Sequence, residues 1–340
     1  MTCPVYFGKS TFKNGVVMRT YLRRQVGLLL LAGALFTGMG SAQEMGSLRV
    51  MAPASPGGGW DTTSRYIQSV LQETDIVPRV EVFNVEGAGG TIGLAQLASA
   101  ERGQGDLLMM MGLVMTGAVL TNDSAVTLAE TTPIASLTAE YEVIAVPTSS
   151  PFQTLDDLLN ALREDPGAVS WGGGSAGGTD HILAGLVAQA AGVDPSQLNY
   201  IPYSGGGEAL AAVLGSQVSA GVTGYGEWAG SIESGDLRAL ALSSPERLEG
   251  IDVATLTEQG IDVTLANWRG VVAPPDLSDE QTSALLAVVD KLHASPEWQA
   301  ILKENNWDDV YRSGDEFAAY LESEDARVQD ILVDIGLVGE

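Results

Sequence analysis

The chain has 340 residues, 45% of them hydrophobic, enough for a sizeable core and for two lobes. A formal net charge of -26 excludes nucleic acid and an anionic membrane surface as partners, because both need a basic face. Gly is abundant, at 41 residues, and gathers in short runs, which points to loops with special backbone demands rather than to low complexity.

At the N-terminus, Arg19, Arg23 and Arg24 form a basic region, residues 28–36 an apolar stretch, and Gly40-Ser41-Ala42 a small-residue cleavage site before Gln43. This is the three-part plan of a secretory signal, and the apolar stretch is short for a membrane span. Residues 1–42 are therefore expected to be removed on export to the periplasm, with 1–17 as an extension upstream of Met18. Seventeen basic residues less the five in this segment leave twelve against 43 acidic ones, a net charge of about -31. The single cysteine, Cys3, goes with the segment, so neither a disulfide nor thiol chemistry is expected in the mature chain.

The remaining pattern alternates short apolar strands with amphipathic helices. Strands are predicted at 48–52, 79–83 and 106–111, with helices at 61–73 and 91–100. In the second half, Thr154 with Asp157 resembles a capping box ahead of a Leu155, Leu158, Leu159, Leu162 stripe. Strands at 168–171, 199–202, 218–222 and 237–242 then alternate with helices at 179–191 and 208–214. Further on, Ser278 with Gln281, Ser295-Pro296, and Ser313 with Glu316 read as starts of three C-terminal helices. Such alternation argues for α/β layers on a mostly parallel sheet.

Four Gly-rich loops join strands to helices. Loop one is Pro53-Ala54-Ser55-Pro56-Gly57-Gly58-Gly59-Trp60-Asp61, and loop two is Asn84-Val85-Glu86-Gly87-Ala88-Gly89-Gly90-Thr91. Loop three is Gly172-Gly173-Gly174-Ser175-Ala176-Gly177-Gly178-Thr179-Asp180-His181, and loop four is Tyr203-Ser204-Gly205-Gly206-Gly207-Glu208. Gly lets the backbone approach a ligand, and a helix start adds free N–H groups and partial positive charge, so each loop resembles an anion cradle. One loop alone is as well explained by a tight turn; four at equivalent junctions imply a ligand cleft between two halves.

Other chemistries fit less well. Gly172, Gly174 and Gly177 match a dinucleotide-binding spacing, but the next strand ends without the acid such a site needs. Gly173-Gly174-Ser175-Ala176-Gly177 matches a nucleophile elbow, but His181 lies only six residues on and His293 sits late in an amphipathic helix. Asp180, His181 and Glu227 lack the pairing of a metal site. Arg269, in Asn267-Trp268-Arg269-Gly270, is the best single candidate for bidentate carboxylate pairing, with a structural salt bridge as the plainer explanation.

Together these segments resemble a family. Pro56-Gly57-Gly58-Gly59-Trp60-Asp61, Gly87-Ala88-Gly89-Gly90-Thr91-Ile92-Gly93 and Gly174-Ser175-Ala176-Gly177-Gly178-Thr179-Asp180-His181 are similar, in order, to the periplasmic receptors of tripartite tricarboxylate transporters. So are Gly205-Gly206-Gly207-Glu208, Gly224-Tyr225-Gly226-Glu227 and Asn267-Trp268-Arg269-Gly270. The resemblance runs from residue 48 to the C-terminus, nearest to the tricarboxylate-type branch.

It implies an α/β, two-lobed periplasmic binding protein fold, type II-like, with the ligand cleft between two domains joined by two crossover segments. One lobe would comprise 43–144 plus 270–340 and the other 145–269, with crossings near 141–147 and 268–273. The implied ligand is a small carboxylate, a tricarboxylate such as citrate, delivered to one large and one small integral membrane subunit. The protein is expected to be a monomer without cofactor, metal or catalytic activity. A sensory ligand-binding protein and a secreted serine hydrolase using Ser175 are the alternatives. The expected ligand-binding residues are Ser55, Gly57, Gly58, Gly59 and Asp61 in loop one, and Gly89, Gly90 and Thr91 in loop two. Ser175, Ala176, Gly178, Thr179, Asp180 and His181 follow in loop three, then Gly205 and Gly206 in loop four, and Tyr225, Glu227 and Arg269.

Overall fold

The computed structural model describes Met1 and residues 45–339, so the expected export signal, residues 1–42, lies outside the described residues but for Met1. Strand β1 (Leu48–Ala52) is flanked in parallel by β2 (Val80–Asn84) and β3 (Leu107–Gly112), with Leu48 opposite Val80 and Arg49 opposite Leu107. Helices α1 (Gly59–Glu73) and α2 (Thr91–Ser99) make the connections. All six residues of β3 are buried, as a strand covered on both faces requires. In α1, Ile67, Val70 and Leu71 pack inward at helical spacing.

Beyond β3 the sheet is mixed rather than mostly parallel. Strand β3 runs antiparallel to β9 (Ala266–Ala273), and β9 runs antiparallel to β4 (Thr132–Pro147). The 16-residue β4 organises everything else. Its first part pairs with β9 from Thr132 to Tyr141 and with β10 (Asp308–Ser313). Its second part, from Glu142, pairs with β7 (Ala220–Gly224) and, from Val143, with β8 (Leu237–Leu242). Strand β7 is parallel to β5 (Ser170–Gly173), which is parallel to β6 (Asn199–Pro202). The parallel pairs come from strand–helix–strand units, and the antiparallel ones from the long strands β4 and β9.

The other helices are α3 (Leu113–Thr121), α4 (Leu155–Glu164), α5 (Thr179–Ala190), α6 (Gly206–Leu214), α7 (Tyr225–Glu233), α8 (Asp279–His293), α9 (Pro296–Glu304) and α10 (Gly314–Asp334). The expected capping boxes are formed at Thr154 with Asp157 and at Ser278 with Gln281. Ser313 differs: it ends β10, Gly314 turns the chain at φ +55°, and no side chain caps α10. One large apolar cluster runs from Leu48 through Trp268 to Leu332. A smaller one gathers around the fully buried Trp228, with Val143, Val213 and Leu242. No helix among the described residues is long and apolar enough to cross a membrane.

Candidate functional site

The four Gly-rich loops follow β1, β2, β5 and β6, and β7 passes directly into α7 at its last residue, Gly224. They converge on one cavity of about 210 Å³. Ser55, Gly58, Gly59, Gly89, Gly90, Ser175, Gly178, Thr179, Asp180, Gly205, Gly206, Glu227 and Arg269 all line it. Gly57, Asp61, Thr91, Ala176, His181 and Tyr225 do not.

How these helices start sets the character of the cavity. Six helices, α1, α2, α3, α5, α6 and α7, have Gly at the N-cap (Gly58, Gly90, Gly112, Gly178, Gly205 and Gly224) and no side-chain cap. Each contributes cavity wall from its first turn or its cap. By contrast α4, α8 and α9 are capped by Thr154, Ser278 and Ser295 side chains. The first turn of a helix carries N–H groups without intrahelical partners, and where no side chain takes them a ligand can. Sterics hold the loops open to the backbone. At Gly90, φ is +91°, and a Cβ there would lie 2.7 Å from Met115 Cε and 2.8 Å from Trp60 Cζ3.

Of the expected residues that miss the cavity, Tyr225 packs against the smaller apolar cluster, and the other five hold the loops in place. Asp61 Oδ2 accepts from the Gly57 N–H and from Arg65 Nε, both at 2.9 Å, while Oδ1 accepts from Asn84 Nδ2 at 2.9 Å. Burial raises the Asp61 carboxyl, but Arg65, the Gly57 N–H and Asn84 together bring it below its usual range. His181 Nδ1 accepts from the Gly177 N–H at 3.2 Å, and its ring stacks on Tyr200 at 3.9 Å. Burial lowers His181 to about 4, so it is neutral. Ser175 has no hydrogen bond to either histidine among the described residues. The Thr91 hydroxyl donates to Ala88 O at 3.0 Å, and Ala176 O accepts from the Thr121 hydroxyl at 3.3 Å.

Two positions that the sequence reading passed over dominate the electrostatics. Glu140 and Glu142, on β4, are both buried beside the cavity. Glu140 Oε1 forms an ion pair with Arg269 Nη2, and Trp307 Nε1 donates to Glu140 Oε2 at 3.3 Å. Arg269 also donates from Nη1 to the Thr63 hydroxyl at 3.4 Å and lies over the Trp307 ring at 5.4 Å. Its charge is therefore already matched within the protein. Glu142 is fully buried, and neither carboxyl oxygen has a hydrogen-bond partner as a carboxylate. Burial, with Asp180, Glu140 and Glu227 around it, pushes Glu142 well above the carboxylate range and holds it protonated. Asp180 Oδ2 accepts from the Gly174 N–H at 2.5 Å. Burial nevertheless raises Asp180 to about 6, and burial with the nearby Glu140 raises Glu227 to about 7. The available signal was two acids two apart within an apolar strand, Glu140-Tyr141-Glu142-Val143, since buried carboxylates are rare without a purpose. Val114 and Thr223 also line the cavity, brought there by helix α3 and strand β7.

A sequence model described as the tripartite tricarboxylate transporter family receptor matches residues 65–337. The chain belongs to this family. A UPF0065 protein from the tcbD-tcbE intergenic region of Pseudomonas sp. (strain P51) is 27% identical over 293 residues, covering 84% of this chain and 85% of that protein. Among solved structures, the periplasmic binding protein BugD superposes with a TM-score of 0.78 at 22% identity, over 86% of this chain and 99% of that one. R. palustris Rpa4515, solved with adipate, gives a TM-score of 0.78 at 21% identity, over 85% and 97% of the two chains. At these identities the two structures share the fold.

Proposed function

We propose that this family member is an exported solute receptor, not an enzyme, that captures a small carboxylate in the periplasm and delivers it to large and small membrane subunits of a transporter. The observation that carries this reading is the convergence of six helix starts with Gly caps on one cavity, while α4, α8 and α9, away from it, are capped by side chains. On this reading 43–144 plus 270–340 and 145–269 are two lobes, with Glu142 on β4 and β9 near the hinge, and closing them around the ligand is the signal the membrane subunits read. Citrate, the tricarboxylate suggested by the family resemblance, is one candidate. Adipate, bound by a protein of the same fold, is another.

Thermal unfolding of the purified protein against a panel of carboxylates tests the proposal. A ligand at 100 times its Kd should add about 2.7 kcal/mol of stability. An upward shift with one carboxylate and no esterase turnover, with a shift retained in Ser175→Ala, supports a receptor. Loss of uptake of that compound on deletion of the gene separates transport from sensing. No shift with any carboxylate, for protein freed of bound ligand, overturns the reading.

A further inference from the structure

Behind the cavity wall lies an acid cluster with too few partners. Glu142 is fully buried, and neither of its oxygens has a hydrogen-bond partner. The charges around it are those of Asp180, Glu140 and Glu227. Strand β4 supplies Glu140 and Glu142, α5 supplies Asp180, and α7 supplies Glu227. The positive charge facing the cluster is Arg269 on β9, and it is paired with Glu140. Tyr200 on β6 also faces Asp180 and Glu142, but its hydroxyl donates to Gly174 O at 2.9 Å. His181, stacked on Tyr200, is neutral. A buried carboxylate without cation or donor is far costlier than a neutral carboxyl, so Glu142 holds a proton.

Asp180 connects this acid to the cavity. It is 8% exposed and forms cavity wall at the start of α5. Its Oδ2 accepts from the Gly174 N–H, and loop three is shaped around the side chain: a Cβ on Gly173 would lie 2.7 Å from Asp180 Cβ. Interacting carboxyls titrate as a pair, and with Asp180 at about 6 and Glu142 well above its ordinary value, the pair holds one proton at neutral pH. An anion entering the cavity brings further negative charge against Asp180, which favours its protonated form.

Resting on the receptor reading above, we infer that the protein binds an anion together with a proton from solvent, taken up by a carboxylate oxygen of the Asp180–Glu142 pair. Affinity and pH are then linked. Below about 6 the pair already carries both protons, and affinity is flat. Above that, each binding event draws a proton, so Kd rises with pH by up to about tenfold per unit.

Calorimetry on the full-length protein at about pH 7.5, in phosphate and in Tris, counts the protons, because the two buffers release them with different heats. Adipate and malate are the probes; ordinary carboxyls ionise near pH 4, so both are dianions and any proton taken up belongs to the protein. The expected result is uptake of at least about half a proton per ligand, with Kd rising about three- to tenfold from about pH 7 to 8. Asp180→Asn keeps an acceptor for the Gly174 N–H, and Glu142→Gln places an N–H donor beside Asp180; each should abolish the uptake and flatten Kd over that range. Binding without proton uptake by the unaltered protein overturns the inference and leaves the receptor reading standing, whether or not either variant folds. Uptake that persists in Asp180→Asn and disappears in Glu227→Gln overturns the assignment to the pair. Failure of both dianions to bind overturns the inference, and failure of the whole carboxylate panel overturns the receptor reading with it.

Discussion

Replacing Arg269 with Leu separates a structural role from a ligand-binding one. Arg269 is 3% exposed and its partner Glu140 is 5% exposed, so the ion pair is shielded from water. Without the guanidinium, Glu140 keeps only the 3.3 Å bond from Trp307. Breaking a buried pair from one side costs about 3–5 kcal/mol, because the remaining charge is desolvated without compensation. For a chain of this size that corresponds to a fall in Tm of about 6–10 °C. Urea unfolding of ligand-free protein measures it directly. Arg269→Leu combined with Glu140→Gln should recover most of the loss, since no charge is then stranded. The reasoning is refuted if Arg269→Leu costs less than about 1 kcal/mol and the double variant is no more stable than the single one. That outcome, with ligand affinity abolished, would make Arg269 a ligand arm.

Stability should fall as pH rises from about 4 to 8. Asp180, Glu142 and Glu227 all have folded values above their ordinary ones, and these three protons outweigh the one that His181, neutral when folded, binds only in the unfolded chain below about 6.5, so the native state holds more protons across this window. Their stabilising effect is complete below the ordinary carboxylate values and is lost as pH passes about 6 for Asp180 and about 7 for Glu227. Raising Asp180 from 3.8 to about 6 is worth about 3 kcal/mol, at about 1.4 kcal/mol per pH unit. The groups facing Asp180 are Glu140 and Glu142 on β4, Glu227 on α7 and the Gly174 N–H, Arg269 on β9 acts on Glu227, and Asp61, held low, titrates below the window. Urea midpoints across pH should show the slope, and Glu142→Gln should flatten it. Gly90→Ala should cost about 1–3 kcal/mol from its left-handed φ and its overlap with Met115 and Trp60. Gly207→Ala, exposed in the first turn of α6 with nothing within 4 Å of the new methyl, should be neutral or stabilising by thermal melt.

Local pattern was enough for much of this protein. The strands at 48–52, 199–202 and 237–242 have the bounds read from their residues, and the Gly runs stand at strand-to-helix junctions as read. Alternation, capping and backbone permissiveness act over a few residues, so they are written in order along the chain. Helix α3 escaped notice because Leu113–Thr121 continues the apolar run of β3 through Gly112, with no polar break to mark the change of period. The partners of β4, and with them the mixed sheet, depend on pairing between segments far apart in the chain, such as Thr132 with Ala273 and Ala135 with Ser313, which no local signal records. The same holds for charge. Nothing near Arg269 in sequence announces Glu140, 129 residues away, and nothing near Glu142 announces that burial beside Asp180 will keep it protonated. Asp61 and Asp180 read alike as first-turn acids, yet Asp61 turns inward to fasten loop one while Asp180 forms cavity wall. The loops that could hold a carboxylate were visible as composition. The acid cluster beside them exists only where folding brings β4, α5 and α7 together, because desolvation and Coulomb interaction depend on distance in space.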